Sequence, residues 1–198
     1  AGKTTDYTDE EFAAERNKIH EKLRTLISIC KQHHTAIRIG VNHGSLSPRI
    51  MNRYGDTPEG LAASCMEFLE LCQLENFHQI VISVKASNTL VMVQAVRLLV
   101  QKMDTAGFHY PLHLGVTEAG EGEDGRIKSA VGIGALLSDG IGDTVRVSLS
   151  EEPSAEIPVA RHLVDYISKK AGHLIVPGTL ANEFDWLHPE RRFTRAAN

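Results

Sequence analysis

Four short runs of mainly Val, Ile and Leu, each followed by a helical pattern, constrain the fold of this sequence more than any other feature. These β-rich runs occupy residues 36–41, 79–85, 112–116 and 144–149. The helical patterns that follow begin at Thr57 and Pro58 and near residues 88, 125 and 155. The runs start about 32 to 43 residues apart, the length of a βα unit. Apolar strands that alternate with helices predict a parallel sheet covered by helices.

A long amphipathic helix is predicted ahead of the first run. Thr8 and Glu11 have the spacing of a capping box, and apolar residues then recur at helical spacing as far as Cys30. A polar loop is expected over residues 43–56. From His173 onward we expect a strand at 174–176, followed by a charged stretch.

Composition excludes several classes of protein. The net charge of −4 and the pI near 6.2 argue against a nucleic-acid binder. No apolar run approaches the roughly 18 residues of a membrane span, and the N-terminus does not resemble a signal peptide. We therefore expect a cytoplasmic protein in bacteria, or one of the plastid stroma in a eukaryote. Three scattered cysteines and ten dispersed histidines predict buried thiols and no metal site.

Cationic side chains occupy one face of the predicted strands. A period of two places Arg38, Gly40 and Asn42 on one face of the first strand, and Arg146 with Ser148 on one face of the last. When Arg38 is considered by itself, a structural salt bridge explains an arginine in the middle of a strand equally well. Two interior arginines favour an anion site, because the guanidinium fork suits oxyanions.

The second strand adds Ser83 and Lys85 to this face. Lys85 stands at the carboxyl end and is either a phosphate-binding charge, an amine nucleophile or an ordinary ion-paired lysine.

Polar residues after the strands predict a rim around this face. His43 and Ser45 follow the first strand, and Ser87 follows the second. Glu118 follows the third strand and either transfers protons or neutralises the cations. Lys128 and Ser129 are expected at the opening of the next helix, where free N–H groups favour phosphate. Gly132 and Gly134 are expected to permit close helix packing.

These polar strand ends favour a barrel over a doubly wound sheet, because barrel active sites form at the carboxyl ends of the strands. A closed eight-stranded barrel takes about 250 residues, and only about four βα units are present. The sequence therefore predicts an α/β fold that is half of a TIM (β/α) barrel.

Five segments, in this order, closely resemble the family of 4-hydroxy-3-methylbut-2-enyl diphosphate synthase. They are RIGVNHGSL at 38–46, ISVKAS at 82–87, LGVTEAG at 114–120, KSA at 128–130 and GDTVRVS at 142–148. The resemblance covers about residues 10–170 and is closest to the long form of the family, which carries an inserted domain. It implies that residues 1–172 are the C-terminal half of a TIM-barrel substrate-binding domain. Residues 173–198 would then begin the inserted domain or a linker.

The resemblance also implies an activity. The family reductively opens 2-C-methyl-D-erythritol 2,4-cyclodiphosphate, with electrons from ferredoxin or flavodoxin that pass through a [4Fe-4S] cluster. Glu118 would be the catalytic acid or base. The substrate-binding residues would be Arg38, Asn42, His43, Ser45, Lys85, Ser87, Lys128, Arg146 and Ser148.

The family's cluster cysteines have no counterpart in these 198 residues. We therefore expect no cofactor bound here and no turnover by this chain alone. Unpaired strand edges lead us to expect a homodimer. Two alternatives stay open: a self-contained phosphate-binding or aldolase-like module in which Lys85 forms a Schiff base, and a scaffold domain without enzymatic activity.

Overall fold

The computed structural model describes residues 6–170, in which four parallel strands alternate with helices. A short 3-10 turn, Pro153–Ala155, precedes the last helix. The elements are α1 (Asp9–Gln32), β1 (Ile37–Asn42), α2 (Pro48–Tyr54), α3 (Pro58–Leu74), β2 (Ile80–Lys85), α4 (Thr89–Ala106), β3 (His113–Gly115), α5 (Gly122–Ser138), β4 (Thr144–Arg146) and α6 (Glu156–Ser168). The expected strand at 174–176 and the proposed segment 173–198 lie outside the described residues. No helix within residues 6–170 is long and apolar enough to cross a membrane.

Side-chain caps explain where the helices begin. At α1 the predicted capping box is confirmed: Thr8 Oγ1 accepts the Glu11 N–H at 3.2 Å, and Glu11 Oε2 accepts the Thr8 N–H at 2.9 Å. Thr57 caps α3 by accepting the Gly60 N–H, with Pro58 in the first turn. Asn88 Oδ1 caps α4 by accepting two backbone N–H groups. Each cap satisfies donors that a helix start leaves without a partner.

The strands follow one another in chain order. β1 pairs with β2 and β3 with β4, all in parallel. A bridge between Ile82 and Leu112 joins the two pairs. α3 packs against α4, α4 against α5 and α5 against α6, so these helices form one layer. An unreversed strand order with one helical layer is typical of a barrel, whereas a doubly wound sheet reverses its order and carries helices on both faces.

The hydrophobic core lies between the sheet and this helical layer. On β1, Ile39 and Val41 are buried, whereas Arg38, Gly40 and Asn42 are exposed on the opposite face. The predicted division of this strand into two faces is therefore confirmed. The same core contains Ile82, Val84, Leu114, Val116, Met92, Leu99, Ile133 and Leu136.

Three local predictions were wrong. Helix α2 forms inside the expected polar loop, and its first residue is Pro48, which suits a first helical position. β3 and β4 are each three residues long, shorter than predicted. α5 begins at Gly122, because Glu123 and Asp124 are acidic residues that a helix N-terminus favours. Lys128 therefore lies in the second turn, beyond the free N–H groups at the helix start.

A buried ion pair anchors α2 to α3. Both nitrogens of the Arg49 fork donate to the Glu67 carboxylate, and one of these bonds measures 2.7 Å. Arg49 is 3% exposed and Glu67 is 8% exposed. The Phe12 ring of α1 lies 4.6 Å from the Arg49 guanidinium carbon and 3.9 Å from that of Arg53. The first helix thus covers the Arg49 guanidinium with a cation–π contact.

Two glycines in the interior of α5, Gly132 and Gly134, are expected to respond oppositely to alanine. A Cβ on Gly132 would lie 2.7 Å from Val116 Cγ2, a stiff β-branched side chain, so Gly132→Ala should destabilise the protein by about 1 to 3 kcal/mol. A Cβ on Gly134 would meet only Leu163, at 3.5 Å. Gly134→Ala should therefore gain up to about 1 kcal/mol from helix propensity. Urea unfolding of both variants checks this, and equal effects would contradict the predicted close packing at Gly132.

Candidate functional site

The strand register stacks the residues of the sheet face opposite the core in levels, and Arg38, which pairs with Val81, lies one level below the two levels that follow. Along β1 and β2, Gly40 pairs with Ser83 and Asn42 with Lys85. Along β3 and β4, His113 pairs with Thr144 and Gly115 with Arg146. Because Ile82 bridges to Leu112, Ser83 is level with His113 and Lys85 is level with Gly115. The upper level is Asn42, Lys85, Gly115 and Arg146, and the lower level is Gly40, Ser83, His113 and Thr144.

Three cations occupy this side, which we call the cationic face: Arg38, Lys85 and Arg146. Arg38 and Arg146 are exposed, whereas Lys85 is only 8% exposed. Within residues 6–170, no carboxylate forms a salt bridge with any of them. In this part of the chain, Arg38 therefore does not form the structural salt bridge that its sequence position also allowed. Like charges gathered without counter-ions are a favourable setting for a polyvalent anion.

Gly115 makes room for the lysine at the centre of this face. A Cβ placed on Gly115 would lie 3.2 Å from Lys85 Cε and 3.0 Å from the Arg146 carbonyl oxygen. The Lys85 side chain thus crosses β3 where that strand has no side chain of its own. Burial lowers the pKa of the Lys85 ammonium, and the positive charges of Arg38 and Arg146 lower it further. Lys85 therefore lies within electrostatic reach of both arginines.

His113 belongs to the same face but was not predicted as a site residue. Its Nδ1 hydrogen-bonds with Thr144 Oγ1 at 2.8 Å, and its ring is partly buried. Burial lowers the pKa of His113, and the charges of Lys85, Arg38 and Arg146 lower it further. The alternation of β3, which places His113 with Gly115, was the sequence signal that could have identified it.

The rim after β1 is built from backbone hydrogen bonds. The His43 N–H donates to the Lys85 carbonyl at 2.9 Å, and Ser45 Oγ donates to the Asn42 carbonyl at 3.0 Å. Asp56 holds this loop in place through its Oδ2, which accepts the Gly44 N–H at 2.9 Å and lies 3.5 Å from His43 Nε2. Sequence reasoning did not identify Asp56 as a supporting residue.

The rim after β2 and β3 holds Ser87 and Glu118. Ser87 is exposed, directly before the cap of α4. The Thr117 N–H donates to the Ala86 carbonyl at 3.2 Å, which ties the start of the β3 loop to the end of β2. Glu118 follows in the left-handed region, with φ of 51°. A non-glycine residue in this conformation is strained, and such strain concentrates at functional sites.

Ser148 and Lys128 are the remaining predicted site residues. Ser148 is partly buried just beyond β4, and the next loop is held by the Ser150 N–H, which donates to the Gly120 carbonyl at 3.1 Å. Lys128 is exposed on α5. The structure thus gathers Arg38, Lys85 and Arg146 on one face, whereas Lys128 belongs to the helical layer.

The three cysteines do not fit an iron–sulfur cluster. Cys30 lies on α1, Cys65 and Cys72 lie on α3, and all are buried free thiols in the core. Burial raises the pKa of Cys65 to about 12 and that of Cys72 to about 11, so these thiols do not readily supply the thiolates that a cluster needs. No group of three or more potential metal ligands occurs within residues 6–170. The cysteines serve the core, as predicted.

Several curated proteins of similar sequence carry the name 4-hydroxy-3-methylbut-2-en-1-yl diphosphate synthase (flavodoxin). The protein of Bacteroides thetaiotaomicron is 66% identical over 194 residues, which are 98% of this chain and 32% of that protein. The proteins of Parabacteroides distasonis and Leptospira interrogans are 66% and 53% identical, over 96% and 85% of this chain and 31% and 26% of their own lengths. The chain thus spans about a third of the length of the curated relatives it matches.

A family model agrees with these relatives. Residues 10–161 match the model of the GcpE TIM-barrel domain, which covers the strands, the helical layer and the cationic face described above. The match confirms the predicted TIM-barrel fold, and the relatives confirm the resemblance first seen in five short segments. The chain therefore belongs to the GcpE family.

Proposed function

We propose that the cationic face binds the diphosphate group of a small substrate. The observation that carries this proposal is the presence of Arg38, Lys85 and Arg146 on one face of the sheet without a carboxylate partner in the described residues. A diphosphate supplies the missing negative charge. Guanidinium groups bind phosphate oxygens in pairs, and the lysine adds a compact point charge.

We propose further that the full-length protein performs the reaction for which its relatives are named. In it, 2-C-methyl-D-erythritol 2,4-cyclodiphosphate would be opened reductively to 4-hydroxy-3-methylbut-2-enyl diphosphate in the isoprenoid pathway of the cytoplasm. Flavodoxin, which the relatives' name includes, would be an electron donor, with ferredoxin as the other option. The thiols of residues 6–170 do not fit a cluster, so this chain contributes binding rather than electron transfer.

Each proposed site residue has a distinct role. Asn42 would hydrogen-bond the substrate beside Lys85, its partner in register. His43, Ser45, Ser87 and Ser148 would complete the polar rim, while Lys128 would act from the helical layer.

Glu118 would move a proton near the reacting carbon, because a carboxylate on a strained rim loop is held in one position. A homodimer remains a proposal that rests on the unpaired strand edges, and an inserted domain or linker beginning at residue 173 remains one that rests on the family.

Schiff-base chemistry at Lys85 is the second candidate function. Its lowered pKa, caused mainly by burial, increases the share of the nucleophilic free amine. A carbonyl substrate that also carried a phosphate would find its anion site at Arg38 and Arg146. The Schiff-base function requires a covalent adduct at Lys85, whereas diphosphate binding does not.

One experiment separates the two functions. Titration calorimetry of the 198-residue chain with inorganic pyrophosphate should show binding that weakens as salt rises, because the contacts are ionic. Orthophosphate, with less charge, should bind more weakly. In parallel, the chain is incubated with dihydroxyacetone phosphate and borohydride. A trapped adduct at Lys85 would favour the Schiff-base function, and the absence of any pyrophosphate binding would contradict the first proposal.

A further inference from the structure

The lower level of the cationic face contains a histidine that the proposed anion site does not yet use. His113 lies one strand pair below the level of Lys85 and Arg146, beside Ser83 and opposite Thr144. Across the sheet, Gly40 has open space where a side chain would stand: an added Cβ meets no atom of the described residues within 4 Å. An anion held by the upper cations therefore has room to approach the imidazole.

The hydrogen bonds of His113 leave one ring nitrogen available. Nδ1 is engaged by the Thr144 hydroxyl at 2.8 Å, and Nε2 has no hydrogen-bond partner within residues 6–170. When the hydroxyl donates to Nδ1, the neutral ring carries its proton on Nε2. That proton is a donor with no acceptor in this part of the chain. A phosphate oxygen is the kind of acceptor that this face attracts.

The charges that face His113 are all positive. They come from Arg38 on β1, Lys85 on β2 and Arg146 on β4, while the hydroxyls of Ser83 and Thr144 carry no charge. Asp143, which precedes the partner residue Thr144, accepts the Leu112 N–H through its Oδ2 at 2.7 Å. Without an anion, this surrounding charge opposes protonation of the ring. A polyvalent anion among the cations would reverse the sign of the local potential.

We infer that His113 is an additional anion-binding residue of this face, neutral in the free protein and protonated when a diphosphate binds. This inference rests on the proposed function, since it requires the anion to sit among Arg38, Lys85 and Arg146. The neutral ring donates from Nε2 at first contact. The proton that it then takes up from solvent at Nδ1 turns the Thr144 hydroxyl into an acceptor and adds a fourth positive charge. Binding of a diphosphate is therefore accompanied by uptake of one proton at His113.

Nitrogen-15 NMR of the histidine rings tests this directly. The 198-residue chain is labelled at histidine, the His113 signals are assigned with His113→Gln, and pH is varied with and without saturating pyrophosphate. In the free protein, the pKa of His113 should lie below the ordinary histidine value of about 6.5. Saturating pyrophosphate should raise this pKa by about one to three pH units. The free ring should also show a proton on Nε2. The exposed helix-end residue His33 is the internal control and should not shift.

Affinity measurements give a second readout. Between the pKa of His113 in the free protein and its pKa in the complex, the ratio of wild-type to His113→Gln affinity for pyrophosphate should grow as pH falls. For one linked proton, this ratio should rise by up to about tenfold per pH unit. His33→Gln should follow the wild type throughout. If pyrophosphate binds but the His113 midpoint does not move, this inference is wrong and the proposed function stands. If the wild type does not bind pyrophosphate at any pH, both fail. Should His113→Gln not fold, through-bond assignment of the wild-type ring still decides the question.

Discussion

Replacement of Arg38 or Arg146 by alanine should weaken pyrophosphate binding roughly ten- to hundredfold. Each guanidinium makes a charge-assisted hydrogen bond to the anion, and such a bond contributes about 1.5 to 3 kcal/mol. Both arginines are exposed in the free protein, so neither substitution leaves a cavity or an unpaired buried charge. Calorimetry of both variants measures the loss. The change in affinity should therefore report binding rather than folding.

A second readout links the arginines to Lys85. The pKa of Lys85 is lowered first by burial and then by the charges of Arg38 and Arg146, so either substitution should raise it. The pH dependence of lysine acylation at Lys85 measures this change. Arg161→Ala, which removes an exposed arginine from α6, is the matched control and should alter neither quantity. Unchanged affinity in both variants would rule out a shared anion site.

Glu67→Gln should lower the free energy of unfolding by about 3 kcal/mol. The substitution leaves the Arg49 charge buried without its carboxylate, and breaking a buried pair from one side costs about 3 to 5 kcal/mol. The lower end is expected, because glutamine still accepts one hydrogen bond and the Phe12 ring lies over the guanidinium. Arg49 Nε already lacks a hydrogen-bond partner, so the substitution weakens the contacts of a guanidinium that is not fully paired. Urea unfolding of the variant and the wild type measures the difference.

The neighbouring Glu70 provides a matched control. It pairs with Arg16 at 2.9 Å, but its side chain is 53% exposed, so Glu70→Gln should change stability by less than about 1 kcal/mol. Removing both partners of the buried pair, as Arg49→Met with Glu67→Leu, should recover most of the loss because no buried charge then remains. If Glu67→Gln and Glu70→Gln unfold at the same urea concentration, the buried pair does not anchor α2 as we describe.

Local sequence patterns were sufficient for most of the architecture. The capping box at Thr8 and the apolar strands followed by helices predicted the elements, because caps and hydrophobic period act over a few residues. Alternation along β1 also predicted that Arg38 and Asn42 share one face, and the structure shows that both are exposed there rather than interior. The start of α5 was missed, since the glycine-rich acidic stretch before Gly125 has the composition of a loop and yet suits the N-terminus of a helix.

The sequence by itself determined the order of βα units, the apolar face of each strand and the presence of cations on the other face. It did so because these features follow from period and residue type. Only the tertiary structure decided that Arg38 and Arg146 both act on Lys85, that Lys85 crosses β3 over Gly115 and that His113 lies one level below Lys85 and Arg146. It also paired Arg49 with Glu67 across two helices. Those relations depend on strand register and helix packing, which join residues far apart in the chain.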